Sequence, residues 1–188
     1  FMKSAGINGF GRFGLHLLKY WIERINKCKF SIDYINDKNF NILKILNIIN
    51  TDKYCKINRV KFVIKGKKLV IKFSDGTSHS IIITNQESDK ISWIGKVDFF
   101  LECSGKNTKR ANCKKFLNGK TKKVIISATS WDCDKTIVYG FNEREISTTD
   151  KIISYGSCTV NAYVPLANFI NNRYRIYMSD VNVIHNIQ

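Results

Sequence analysis

The spacing of apolar positions changes character several times along the chain, and each change marks an element. "KSAGIN" at 3 to 8 is a short, nearly continuous apolar run of strand type, "FGLHLLKYWIERINK" at 13 to 27 repeats its apolar residues at helical spacing, and "FSIDYIN" at 30 to 36 returns to a β-rich run. Together they predict a βαβ unit. A helix is expected in "NFNILKILNIIN", followed by strand-like pieces "RVKFVIKGKKLVIKF" and "HSIIIT" with turns at Gly66 and at "SDG", 74 to 76, which read as a small antiparallel insertion. "KVDFFLECSG" then predicts a buried strand, "NTKRANCKKFLNG" a helix closing at Gly119, and "KKVIISA" another buried strand. Strands alternating with helices imply a parallel sheet covered on both faces. The fold class expected is α/β, a Rossmann-like, doubly wound, mostly parallel sheet with a small antiparallel insertion.

At 188 residues the chain suits one domain with a remnant, since ordinary domains run to roughly 100–200 residues. With 44% hydrophobic and 24% charged residues, and no apolar run near the roughly 18 residues of a membrane span, no membrane span is expected and the cytoplasm is the expected compartment. The start "FMKSAGINGFG" lacks the long apolar core of a signal peptide, and Phe1 ahead of Met2 reads as a residue left by cloning.

Basic residues outnumber acidic ones 31 to 15, a formal net charge of +16, which raises the question of a polyanionic partner. The basic pieces "KGKK", "GKNTKR" and "GKTKK" are short and separated, and Lys, Ile and Asn are abundant throughout. The charge is therefore read as a solvated surface, with nucleic acid not expected as a partner. The six cysteines, Cys28, Cys55, Cys103, Cys113, Cys133 and Cys158, form no CxxC pair and are expected to be reduced. His16, His79 and His185 stand in no metal-binding spacing, so no metal is expected.

Between the first strand and first helix stands Gly9-Phe10-Gly11-Arg12-Phe13-Gly14, a G-x-G-x-x-G in the context that gives it meaning. Glycines there let the backbone turn sharply and approach a pyrophosphate, while the helix start offers free N–H groups. The second strand ends in "YIND", placing Asp37 where a carboxylate can bind ribose hydroxyls and repel a 2′-phosphate. The cofactor expected is NAD rather than NADP. Farther on, "SYGSCTVNAYVPLANFI" puts Cys158 just ahead of apolar residues at helical spacing, where amide dipoles would favour a thiolate, and "DVNVIH" is a strand-like run ending at His185.

These pieces together resemble one family. "INGFGRFG" at 7 to 14, "IND" at 35 to 37, "ECSG" at 102 to 105, "KKVIISA" at 122 to 128 and "SCTVN" at 157 to 161 are similar, in order and interval, to glyceraldehyde-3-phosphate dehydrogenase. The resemblance implies NAD-dependent oxidation of an aldehyde to a thioester, resolved by inorganic phosphate, with Cys158 as nucleophile and His185 as base. It implies cofactor contacts at Gly9, Gly11, Arg12, Phe13, Asp37, Ser104, Gly105 and Ser127, and roles for Ser157 and Thr159 in holding substrate or phosphate. A phosphorylated aldehyde is the implied substrate and a homo-oligomer, a tetramer, the implied state of the full-length parent.

The departures are as specific as the matches. Val160 and Ala162 stand where the family usually has threonine and cysteine, "QES" puts Ser88 where an arginine covers the adenine, and "HNIQ" puts Gln188 where a threonine helps hold substrate phosphate. The family's remaining catalytic residues would follow Gln188. The resemblance thus divides the chain into an NAD-binding domain, 1–157, and 158–188 as the first helix and strand of a truncated, incomplete α+β catalytic domain, a fragment expected to have little activity by itself. A related dehydrogenase of another phosphorylated sugar, such as erythrose 4-phosphate, and a noncatalytic NAD- or nucleic-acid-binding module are the alternatives.

Overall fold

Strand β1 (Lys3–Asn8), its last five residues buried, is the central member of a nine-stranded sheet in the computed structural model, which describes residues 2–185. Helix α1 (Arg12–Glu23) carries the chain to β2 (Phe30–Asn36), which pairs parallel with β1. Helix α2 (Ile42–Thr51), capped by the Asn41 side chain accepting from the Lys44 N–H, leads into β3 (Val60–Lys65), β4 (Lys68–Phe73) and β5 (Ser78–Thr84). β4 runs antiparallel to both β3 and β5, and β5 joins β2 in parallel, so the insertion read from the sequence forms one wing of the sheet.

The chain then crosses to the other side of β1 with β6 (Phe99–Glu102), passes the short helix α3 (Arg110–Lys114), and adds β7 (Lys123–Ile126), β8 (Lys135–Thr136) and β9 (Ile152–Ser154). The resulting order is β3-β4-β5-β2-β1-β6-β7-β9-β8. With β2 on one side of β1 and β6 on the other, the winding reverses between β1 and β6, and a crevice opens there at the carboxyl ends of the strands.

Apolar layers form on both faces. One joins Leu15, Leu18 and Trp21 of α1 and Ile45 and Ile49 of α2 to the sheet; the other gathers Trp93, Phe100, Phe116 and Val124. The expected doubly wound α/β, Rossmann-like fold is what forms.

Helix α4 (Cys158–Tyr174) starts where the sequence predicts, capped by Ser157 accepting from the Val160 N–H at 3.1 Å, and carries Pro165 inside it. None of its residues is buried among the described ones. The strand expected over "DVNVIH" does not form: 180–185 is irregular and exposed, with Val181 and Val183 each 43% exposed. An extended segment becomes a strand only by exchanging hydrogen bonds with a neighbour, and none of the described residues pairs with it. The Gln188 reading lies outside the described residues.

One carboxylate ties the start of β1 to the start of β6. Asp98 accepts from the Ser4 N–H at 2.9 Å and Oγ at 3.0 Å, and pairs with Lys120 at 2.9 Å. Burial pushes its pKa up, but the bonds from Lys120 and Ser4 overrule it and hold the carboxyl at about 2. Because the folded value lies below the ordinary one of 3.8, this group's contribution is fully present above about pH 4 and is lost as pH falls through about 2. Denaturant unfolding from pH 5 to pH 2 is expected to show an acid loss of up to ~2 kcal/mol that Asp98→Asn removes, lowering stability at pH 5 and leaving a flatter acid limb.

Candidate active site and cofactor cradle

The crevice between β1 and β6 is closed at its base by backbone. Gly9, at φ +98°, lies so near β6 that a Cβ on it would stand 2.5 Å from the Cα and N of Ser104. Its N–H donates to the Asn36 carbonyl at 2.7 Å, and the Cys103 N–H donates to the Asn8 carbonyl at 2.7 Å. A Cβ on Gly14 would meet the Gly9 carbonyl oxygen at 2.4 Å. Packing alone therefore accounts for the first and third glycines of the motif. Gly11 differs, because a Cβ there would meet nothing within 4 Å and its φ is an ordinary −81°.

Gly11 is also the N-cap of α1 and offers no side chain to the helix start, whose first N–H groups are left to other partners. A cavity of about 220 Å³ lies before it, lined among others by Gly9, Asp37, Ser88, Ser104 and Lys106. Asp37 closes one side. Its Oδ2 accepts from the Phe10 N–H and its Oδ1 from the Asn39 N–H, each at 2.8 Å, so the carboxylate braces the glycine turn and still has lone pairs for a ligand.

Beneath the cavity lies Glu102, 1% exposed and without a cation among the described residues. Its Oε2 accepts from Asn8 Nδ2 at 2.8 Å and Asn107 Nδ2 at 3.0 Å, and its Oε1 from the Ser104 N–H at 2.8 Å and from the Ser104 hydroxyl. Asn8 in turn accepts from Asn36 Nδ2 at 2.9 Å, and Ser88 Oγ accepts from Asn8 and Asn107 at 3.3 and 3.4 Å. A buried carboxylate is tolerated where donors satisfy it, and here it locks the carboxyl ends of β1, β2 and β6 together. Sequence reasoning assigned Glu102, Asn8 and Asn107 no role; an acid inside the apolar run "FFLEC" was the available signal.

Not every expected cofactor residue gathers here. Gly9, Gly11, Asp37 and Ser104 line the cavity. Gly105, at φ +71°, follows Ser104 in the chain and is not among the residues that line the cavity. The Arg12 guanidinium is instead engaged with Asp52 at 2.7 Å and lies 5.7 Å from the Tyr54 ring. Phe13 and Ser127 line a separate apolar cavity of about 330 Å³, formed with Leu17, Phe99, Ile125 and Tyr155. Ser88, noted in the sequence for the cation it lacks, is part of the cradle.

Cys158 is the first residue of α4 and is exposed, whereas the other five cysteines are buried or half-buried. Burial pushes the Cys103 thiol up to about 12, with the Glu102 charge adding and a bond from Ser127 opposing. Burial, with Glu102 and Asp132, does the same to Cys113, also to about 12, and burial raises Cys55. His185, 27 residues after Cys158, returns to it, with Nε2 3.9 Å from Sγ. The return depends on local ties rather than a strand: the Ile176 N–H donates to Asn171 Oδ1 at 2.9 Å, and the Tyr163 and Ser179 hydroxyls meet. Ser157 and Thr159 are both half-buried, one on either side of the sulfur in sequence. Among the described residues there is no cluster of His, Cys, Asp or Glu suited to a metal ion, and no helix is long and apolar enough to cross a membrane.

No family model matches the chain. Among curated proteins it is similar to glyceraldehyde-3-phosphate dehydrogenase of Lactobacillus delbrueckii subsp. bulgaricus, 31% identical across 97% of this chain and 53% of the relative. Similarity of the same order extends to the enzyme of Priestia megaterium, at 31% across 97% and 52%, and to glyceraldehyde-3-phosphate dehydrogenase 4 of Caenorhabditis elegans, at 30% across 97% and 53%. The chain spans about half the length of these curated relatives. Over nearly all of its own length, the chain is thus similar to part of the glyceraldehyde-3-phosphate dehydrogenases.

Proposed function

We propose that this chain binds NAD in the β1–β6 crevice and belongs to an NAD-dependent aldehyde dehydrogenase that works through a thioester on Cys158. The observation that carries the reading is the approach of His185 Nε2 to within 3.9 Å of the exposed Cys158 sulfur at the start of a helix. A base beside the sulfur takes its proton, and the partial positive charge at the start of α4 favours the anion that results.

The residues present fit the cofactor. Gly11 has small size that no packing contact requires, the uncapped start of α1 directs N–H groups at a pyrophosphate, and Asp37 stands where ribose hydroxyls would donate to it. When bound, NAD supplies the hydride acceptor. The chain's own part is to add the Cys158 sulfur to the aldehyde carbon while His185 returns its proton to the aldehyde oxygen, to take that hydroxyl proton back onto the neutral His185 as the hemithioacetal is oxidised, and to hold the acyl group as a thioester until phosphate displaces the sulfur. The Ser157 hydroxyl, whose oxygen already caps α4, retains a proton to donate to a bound anion, and Thr159 follows the sulfur with a second hydroxyl. The name its relatives share supports glyceraldehyde 3-phosphate as the aldehyde of the whole protein.

Two experiments test the reading. In titration calorimetry, wild type is expected to prefer NAD to NADP by at least about tenfold. Gly11→Ala is expected to weaken NAD by about tenfold or more while shifting Tm by no more than about 3 °C, because a Cβ there meets only the cavity. Gly9→Ala, which forces a side chain into the Ser104 backbone, is expected to disrupt the fold itself. Unchanged NAD affinity in folded Gly11→Ala would place the cofactor elsewhere.

Limiting iodoacetamide followed by peptide mapping is expected to modify Cys158 ahead of the other five thiols, and His185→Ala is expected to slow that modification at pH 7 by several-fold. Labelling that begins at Cys28 or Cys133, or a Cys158 rate indifferent to His185, defeats the nucleophile assignment.

A further inference from the structure

An anion entering the β1–β6 crevice meets two carboxylates. Asp37 lines the cavity and the buried Glu102 lies beneath it. Against them the start of α1 sets a partial positive charge of roughly one half. The pyrophosphate of a dinucleotide is dianionic, and charges of one sign repel more strongly in a partly dehydrated cleft than in open water. A cation at the cavity would offset that repulsion.

Arg12, the cation nearest the glycines in sequence, is committed elsewhere. Its guanidinium is held by Asp52 at 2.7 Å, and it is not among the residues that line the cavity. Two lysines do line it, Lys38 and Lys106. Lys38 is paired with Glu87 at 3.3 Å. The ammonium of Lys106 makes no ion pair and no hydrogen bond among the described residues.

The backbone that carries Lys106 is pinned on both sides by one carboxylate. Glu102 accepts from the Ser104 N–H at 2.8 Å and from the Ser104 hydroxyl, and it accepts from Asn107 Nδ2 at 3.0 Å. Between those residues Gly105 turns at φ +71°, and the Lys106 N–H donates to Ser104 Oγ at 3.2 Å. The flexible lysine stem therefore starts from a fixed point beside the cavity, on an exposed residue free to bring its charge to a ligand.

We propose that Lys106 binds the cofactor's pyrophosphate by charge, together with the N–H groups at the start of α1, an assignment that rests on the NAD reading above. An ammonium is a donor-only point charge, so its best partner in the ligand is the phosphate. Ribose hydroxyls are neutral and have Asp37 to accept from them. The adenine offers a ring face, which holds an exposed cation more weakly than an anion does.

Titration calorimetry of the full chain with NAD and with ADP-ribose tests this, alongside adenosine followed through its competition with NAD, because adenosine lacks the pyrophosphate. Lys106→Gln is expected to weaken NAD and ADP-ribose by about tenfold, the scale of one charge-assisted hydrogen bond, and to leave adenosine within about twofold. Lys106→Arg keeps the charge and is expected to stay within about threefold of wild type. Lys109→Gln, the same change of charge at a nearby exposed lysine outside the cavity, is expected to bind like wild type, and Arg12→Gln to lose less than Lys106→Gln. The Lys106→Gln deficit is expected to shrink in ~1 M salt, where the screening length falls to about 3 Å. Wild type that binds NAD beside a Lys106→Gln variant that binds it equally well would overturn the assignment and leave the cofactor reading standing. Failure of wild type to bind either NAD or ADP-ribose removes both. A loss toward adenosine equal to that toward NAD, or a larger loss from Arg12→Gln, also overturns the assignment.

Discussion

The carboxyl ends of β1 and β6 approach so closely that the residue turning out of β1 can carry no side chain. Gly9 meets the Ser104 backbone where a Cβ would be, and Gly14 meets Gly9 in turn. This approach sets where α1 begins, how deep the crevice is and which atoms face it. Glu102 sustains it from below by accepting four hydrogen bonds from Asn8, Asn107 and Ser104. An acid with no counter-cation is a poor source of stability by itself. Its effect is geometric, because one carboxylate has a defined number of lone pairs and the donors come from the end of β1 and from the loop that follows β6.

The same crevice sorts the cysteines. Cys103 lies beside Glu102, where burial and the neighbouring charge both push its thiol up and disfavour the thiolate. Cys158 differs by position. It opens α4 in the open, with an imidazole at its sulfur and with the positive end of a helix behind it. A reactive thiol needs exposure and a polar neighbour able to take its proton, and of the six thiols Cys158 is the exposed one, with His185 at its sulfur.

The β3–β4 hairpin follows a different logic. Charge on an edge strand commonly protects a sheet from pairing with another copy, and Lys61 and Lys65 put such charge on the edge strand β3. Protection does not require the next strand to repeat the charge directly opposite, as Lys68 and Lys72 do. The doubled pairs concentrate positive potential on one small surface of a chain whose net charge is already +16.

Much of this was legible in the sequence, because the relevant periods are local. The spans of β1 and β2, the existence of α1, the start of α4 and the antiparallel insertion follow from apolar spacing and turn residues. The glycine motif is legible for the same reason, since a strand, a tight turn and a helix start are neighbours along the chain. Other features depend on how the chain meets distant parts of itself. "DVNVIH" alternates like a strand, yet strand formation depends on a partner, and the segment stays irregular. The His185 ring nonetheless returns to the Cys158 sulfur across 27 residues. Arg12, beside the glycines in sequence, is drawn to Asp52 instead, and Phe13 and Ser127 face a second cavity. Lys61, Lys65, Lys68 and Lys72 look scattered until strand register sets them in opposed pairs. Local spacing determines what each segment becomes, and only packing decides which side chains meet, because two residues far apart in sequence become neighbours only once the sheet that carries both has formed.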